Sequence, residues 1–94
     1  MPKGRILVAD DERSLLLSIR NFISEAGYAV ETASNRVEFF TKLGAYNPDI
    51  VLLDIYLGED NGIDILKQMR ADGWTTPVIM MTAHSEVSIA VRAM

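Results

Sequence analysis

The sequence contains no cysteine, which excludes disulfide bonds, thiol nucleophiles and thiolate metal sites. Positive charge is also scarce, because 9 lysines and arginines stand against 13 aspartates and glutamates, a net charge of −4. Binding of nucleic acid through a general basic surface is therefore not expected. No apolar run approaches the roughly 20 residues that a membrane helix needs. The start also lacks the apolar core of a signal peptide. These absences predict a cytoplasmic protein that contacts neither nucleic acid nor a membrane directly.

The apolar content predicts one folded domain. The chain has 94 residues, and 49% of them are hydrophobic, which suffices for one small core but not for two. We therefore expect a single domain over residues 1–94. Three short apolar stretches, at residues 6–9, 50–53 and 78–81, and an alternating stretch at residues 28–32 are separated by stretches of helical periodicity. The resulting order, β-α-β-α-β-α-β-α, favours an α/β fold with a right-handed, doubly wound parallel sheet.

Glycines and capping residues predict where the helices begin and end. Gly27 is placed to end the first helix. Asn35, followed three residues later by a glutamate, resembles the capping box that begins a second helix, and we expect Gly44 to end it. A third helix is expected to stop near residues 72–73, and a fourth to begin at residue 85.

Polar side chains follow three of the predicted strands. Asp10 and Asp11 follow the first, Asp54 ends the third and Thr82 follows the fourth. Because ligands bind at the carboxyl ends of parallel strands, we expect these residues to meet at one edge. Carboxylates this close repel one another, and a cation such as Mg²⁺, which also binds phosphate oxygens, relieves that repulsion. Asp54 is the best placed nucleophile for a phosphoryl group. Thr82 can donate its hydroxyl to a phosphoryl oxygen, and the small Ala83 leaves the approach open.

Each of these residues alone has a simpler explanation. An aspartate pair after a strand is usually a turn and a helix cap, and threonine is a good strand residue. Only the agreement of three strand ends indicates a site. One alternative is a phosphohydrolase that also forms an aspartyl phosphate. Such enzymes usually carry a second aspartate two residues after the nucleophile, where this chain has Tyr56.

Four motifs together resemble the receiver domain of two-component response regulators. They are ILVADDE at residues 6–12, VLLD at 51–54, Gly62 eight residues past Asp54, and MTA at 81–83. The resemblance implies a flavodoxin-like doubly wound parallel sheet. The family order is 2-1-3-4-5, and here we expect the order 2-1-3-4, lacking the fifth strand and the fifth helix.

The resemblance also implies a role for each site residue. Asp54 would accept a phosphoryl group from a phosphohistidine of a sensor histidine kinase or a phosphotransfer protein. Asp11 would bind Mg²⁺ directly, Asp10 through water, and the backbone carbonyl of Tyr56 would be a further ligand. Thr82, with Ala83 beside it, would be the switch hydroxyl. The domain would be a signalling module that assists its own phosphorylation and dephosphorylation rather than an enzyme, of the kind attached to transcriptional activators.

Two departures from the family pattern carry further expectations. Gly58 stands where many members have proline. The family's fifth strand carries a lysine that pairs with the phosphorylated aspartate, and none of Lys3, Lys42 and Lys67 is placed to replace it. We therefore expect Mg²⁺ to bind and stable phosphorylation to be impaired.

The fourth strand would then be an edge of the sheet, with an apolar face left bare beside it. Unpaired edges invite pairing with another copy, so we expect a homodimer or a swapped oligomer through this edge. The alternative function is accordingly a truncated, non-phosphorylated interaction and dimerisation module.

Overall fold

Four parallel strands form the central sheet of the protein, whose computed structural model describes residues 3–81. The sheet has the order β2-β1-β3-β6, and a two-stranded antiparallel ladder joins β4 to β5. The strands are β1 (Arg5–Ala9), β2 (Ala29–Ala33), β3 (Ile50–Asp54), β4 (Tyr56–Leu57), β5 (Asp60–Asn61) and β6 (Val78–Met81). The helices are α1 (Arg13–Glu25), α2 (Arg36–Tyr46) and α3 (Gly62–Ala71). With the two-residue strands set aside, this is the predicted flavodoxin-like order 2-1-3-4.

The main core lies on the sheet face that α2 and α3 cover. Alternate residues of a strand point to the same face, and Leu7, Val51 and Leu53 of β1 and β3 are fully buried. They form one cluster with side chains of the two helices, among them Leu43 and Met69. Burial of this apolar surface is the main favourable contribution to folding.

The first helix covers the opposite face only in part. Among the apolar side chains of α1, Leu16 is buried, whereas Leu15 is 38% exposed and Phe22 is 76% exposed. Within residues 3–81, Ile79 of β6 is also 49% exposed. In the described part of the chain, apolar side chains of α1 and of β6 therefore stay exposed.

The observed helix ends agree with the predicted ones at three places and differ from the prediction at one. Gly27 has φ +102° just after the end of α1, and Gly73 has φ +91° just after the end of α3, as predicted. The side chain of Asn35 caps α2, also as predicted. Gly44 does not end α2, because the helix continues to Tyr46 and Asn47 takes the left-handed conformation with φ +50°.

The segment after Asp54 is mostly polar between residues 58 and 61 but is not an irregular loop. It forms the β4–β5 ladder, and the side chains of Ile55 and Leu57 are 2% and 0% exposed. These apolar residues anchor the segment on the core. The helix predicted from residue 85 lies outside the described residues. No helix in residues 3–81 is long and apolar enough to cross a membrane.

Candidate functional site

Three carboxylates meet at the carboxyl edge of the sheet. Asp10 and Asp11 follow β1, and Asp54 is the last residue of the neighbouring strand β3. The parallel register pairs Ala9 with Leu53, so the next residue on each strand, Asp10 and Asp54, reaches the same level. One oxygen atom from each carboxylate lies within 4.8 Å of the others. The structure therefore brings the three predicted aspartates together.

Backbone N–H groups orient two of these side chains. Asp10 is only 3% exposed, and its Oδ1 accepts a hydrogen bond of 3.0 Å from the N–H of Glu12. The Oδ1 of Asp54 accepts a hydrogen bond of 3.2 Å from the N–H of Tyr56. Asp11 is exposed. The site thus has two side chains fixed by their surroundings and one that is open to solvent.

The electrostatics of the cluster favour a cation. The pKa of Asp54 is raised to about 6, mainly by burial and also by the nearby charges of Asp10 and Asp11, while the hydrogen bond from Tyr56 acts to lower it. Within residues 3–81, no lysine or arginine forms an ion pair with any of the three aspartates. The negative charge of the site is therefore not balanced by a described side chain.

These donors fit Mg²⁺, which takes oxygen ligands and is often bound by one or two carboxylates together with water and phosphate. Asp10, Asp11 and Asp54 supply the carboxylates. Because the N–H of Tyr56 is bonded to Asp54, the Tyr56 backbone lies beside the cluster. The donor set is therefore compatible with the metal that the sequence indicated.

None of the three lysines forms an ion pair with the acidic cluster in the described part of the chain. Lys42 of α2 forms ion pairs with Glu31 at 3.3 Å and Glu38 at 3.9 Å, and it donates a hydrogen bond to the carbonyl of Thr32. Lys67 lies in α3, and Lys3 donates its backbone N–H to Gly27 ahead of β1.

Strand β6, at one edge of the described sheet, also reaches the site. Met81, the last residue of β6, pairs with Asp54 in the sheet, and its carbonyl accepts a hydrogen bond of 3.0 Å from the N–H of Ile55. The predicted switch residues Thr82 and Ala83 lie outside the described residues. What the structure establishes is that β6 ends beside Asp54.

One backbone contact at the site has no clear signal in the sequence. The N–H of Gly62 donates a hydrogen bond of 2.6 Å to the carbonyl of Ile55, which joins the start of α3 to the residue after Asp54. The nearest signal was the Asn61-Gly62 pair ahead of a helical stretch, where the Asn61 side chain caps α3. Capping was recognisable from this pair, whereas the contact with β3 was not.

Comparison with known proteins identifies the family. The model of the response regulator receiver domain matches residues 6–94. The chain belongs to the response regulator receiver domain family. It is 44% identical over 92 residues to the alginate biosynthesis transcriptional regulatory protein AlgB of Pseudomonas aeruginosa. It is 36% identical over 90 residues to the response regulator MprA of a Mycobacterium species.

A solved structure extends the likeness to three dimensions. The receiver domain of a Francisella response regulator matches with a TM-score of 0.88 and 25% identity, over 97% of this chain and 75% of that one. The curated relatives are longer proteins. This chain is matched over 98% of its own length but spans 20% of AlgB, and it is matched over 96% but spans 39% of MprA. The shared part is the receiver domain.

Proposed function

We propose that this receiver domain accepts a phosphoryl group on Asp54, and that Asp10, Asp11 and Asp54 hold the Mg²⁺ that assists the transfer. The observation that carries the proposal is the convergence of the three carboxylates, each of which places one oxygen atom within 4.8 Å of the others. Family membership over residues 6–94 supports it. The phosphodonor is a phosphohistidine of a sensor histidine kinase or a phosphotransfer protein. Residues 1–94 form one such domain in this proposal.

The reaction is a displacement at phosphorus. A carboxylate oxygen of Asp54 forms the new P–O bond while the P–N bond to the donor imidazole breaks. The electron pair of that bond stays on the imidazole nitrogen, and the product is an aspartyl phosphate. With its pKa raised to about 6, Asp54 is mostly ionised at neutral pH and can attack. The N–H of Tyr56, 3.2 Å from Oδ1, holds the carboxylate in one orientation.

The metal ligands have distinct roles in this proposal. Asp11 binds Mg²⁺ directly, Asp10 binds it through water, and Asp54 and the backbone carbonyl of Tyr56 complete the protein ligands. Bound Mg²⁺ neutralises charge that develops on the phosphoryl oxygens. Thr82 contributes its hydroxyl to a phosphoryl oxygen, with the small Ala83 leaving room for the group. The output is transcriptional, since the relative AlgB is a transcriptional regulatory protein.

The metal site can be tested by titrating Mg²⁺ into the protein by calorimetry. Asp11→Asn is expected to weaken binding strongly, because it removes a charged ligand from the cluster. Asp64→Asn is the matched control, since Asp64 is an exposed aspartate in the first turn of α3 and outside the cluster. Equal Mg²⁺ affinity of wild type and Asp11→Asn would contradict the proposed ligand set.

The second candidate function is an interaction module that dimerises without phosphorylation. One observation favours it, because within residues 3–81 the strand β6 pairs on one side only, with β3. Ile79 at its middle is 49% exposed. Pairing of β6 with a second copy would satisfy such an edge. Light scattering at tens of micromolar tests this, with Ile79→Lys as the disrupting variant, and a monomeric wild type would count against it.

A further inference from the structure

Gly62, the first residue of α3, packs directly against the backbone of the strand that carries Asp54. A methyl group added at Gly62 would overlap the backbone oxygen of Asp54. It would also lie 3.0 Å from the Asp54 carbonyl carbon and 3.0 Å from the Cα of Ile55. Because these are backbone atoms, they cannot rotate away as a side chain can. Any other amino acid must therefore displace the start of α3 or the peptide group between Asp54 and Ile55.

Glycine is needed at position 62 because there is no room for a side chain, and not because of its backbone conformation. Gly58 and Gly73 have φ angles of +63° and +91°, which favour glycine, but a methyl group at either would meet nothing within 4 Å. Gly62 has no such positive φ. Gly44, inside α2, has neither a positive φ nor a neighbour within 4 Å of an added methyl group. The contact of Gly62 with Asp54 is thus specific to this position.

The peptide groups on either side of Ile55 are held from two directions. The N–H of Ile55 donates to the carbonyl of Met81 at 3.0 Å, and the carbonyl of Ile55 accepts from the N–H of Gly62 at 2.6 Å. Asp54 precedes Ile55 and Tyr56 follows it, and the N–H of Tyr56 reaches back to the Asp54 carboxylate. The hydrogen bonds that hold Ile55 therefore also restrict the orientation of the Asp54 and Tyr56 backbone.

We propose that Gly62 is a positioning residue for the Mg²⁺ site. By carrying no side chain, it lets α3 contact the Asp54–Ile55 peptide closely. That contact sets where the Asp54 carboxylate and the Tyr56 carbonyl point. The inference rests on the proposed function, because it takes these two groups to be metal ligands. Changing a residue that orients metal ligands typically lowers metal affinity by roughly 10–100-fold.

The test compares three variants in two measurements. Gly62→Ala introduces the overlapping methyl group, and Gly44→Ala is the same change at an open position. Leu43→Ala removes part of a side chain that is 0% exposed in the core, and so lowers stability without touching the site. Calorimetric titration with Mg²⁺ gives the affinity of each folded protein. Amide NMR spectra of the metal-free proteins report on Ile55 and Tyr56.

The expected result is a loss of Mg²⁺ affinity of roughly tenfold or more in Gly62→Ala, with shifted Ile55 and Tyr56 amide resonances. Gly44→Ala should match wild type in both measurements. Leu43→Ala should lose affinity only in proportion to its unfolded fraction. Affinity in Gly62→Ala equal to that of wild type would overturn the inference.

A purely structural role gives other results. If Gly62→Ala loses affinity only in proportion to its unfolded fraction, as Leu43→Ala does, the positioning role is wrong. It is also wrong if Gly62→Ala does not fold even in a stabilising osmolyte. If wild type itself fails to bind Mg²⁺, the proposed function fails instead, and the metal-free spectra still show whether the methyl group displaces Ile55 and Tyr56.

Discussion

Replacing Asp54 by asparagine should stabilise the metal-free protein. The ionised Asp54 is half-buried beside Asp10 and Asp11, and one of its carboxylate oxygens lies within 4.8 Å of an oxygen of each. Asparagine has nearly the same shape and carries no charge. Its side-chain oxygen can still accept the hydrogen bond that the N–H of Tyr56 donates to Asp54. The substitution therefore removes the cost of burying a charge near two like charges and keeps the local geometry.

The raised pKa of Asp54 gives the size of this effect. Its pKa rises from 3.8 to about 6, which corresponds to about 3 kcal/mol at about 1.36 kcal/mol per unit. Because the carboxylate is partly exposed, solvent screening reduces the effect to about 1–2 kcal/mol. We expect Asp54→Asn to raise the free energy of unfolding by this amount at pH 7 in the presence of a chelator.

Urea unfolding at several pH values measures the effect and its sign. A carboxyl whose pKa is raised on folding binds more protons in the folded state, so wild type loses stability as the pH rises from about 4 through about 6. Asp54→Asn lacks this group, so its advantage over wild type should be absent near pH 4 and complete at pH 7. Saturating Mg²⁺ should reduce the advantage, because the ion binds the wild-type site and stabilises its folded state.

Two results would refute this reasoning. If Asp54→Asn were less stable than wild type at pH 7 without metal, the cost of burying the ionised Asp54 beside two like charges would not be the dominant effect. A stability difference that did not change between pH 4 and pH 7 would show that ionisation of Asp54 is not its cause. Asp64→Asn, at an exposed position outside the cluster, should show neither effect.

Three further predictions concern the helices and the core. Gly44→Ala, at an exposed position inside α2, should raise the free energy of unfolding by about 0.5–1 kcal/mol, and a destabilisation in thermal unfolding would contradict the helical placement. Asn35→Ala removes the 2.8 Å hydrogen bond that the N–H of Glu38 donates to Asn35. It should lower the free energy of unfolding in urea by about 1 kcal/mol, and an unchanged value would show that this cap does not stabilise α2. Leu43→Ala should cost about 2–5 kcal/mol, and a cost below this range would place Leu43 outside the core.

The sheet and the acidic cluster could be predicted because each strand and each carboxylate can be recognised from neighbouring residues, and several such signals agree. Strands β1, β3 and β6 each contain a continuous apolar run, and the runs in β1 and β3 are followed directly by Asp10 and Asp54. Parallel pairing then brings those carboxylates to one edge without any further information. The predicted convergence of Asp10, Asp11 and Asp54 is confirmed by the geometry, whereas their roles stay a prediction.

The end of α2 shows why other features could not be predicted. A glycine favours a helix end only locally, and at Gly44 tertiary packing decides otherwise, because Leu43 beside it is fully buried in the core. Asn47 then adopts the positive φ in place of a glycine. The contact of Gly62 with Asp54 was equally hidden, since it joins backbone atoms eight residues apart. A pattern of side chains carries no signal for such an approach.

The most direct test of the central proposal is mass spectrometry after incubation with Mg²⁺ and a small-molecule phosphodonor. Wild type and Asp64→Asn are expected to gain a phosphoryl group that Asp54→Asn does not gain, at low occupancy because Lys3, Lys42 and Lys67 are not placed to pair with it. A chelator should abolish the reaction. Fragmentation should place the group on Asp54. No adduct on wild type, or an adduct that persists in Asp54→Asn, would contradict the proposal that Asp54 is the phosphoacceptor.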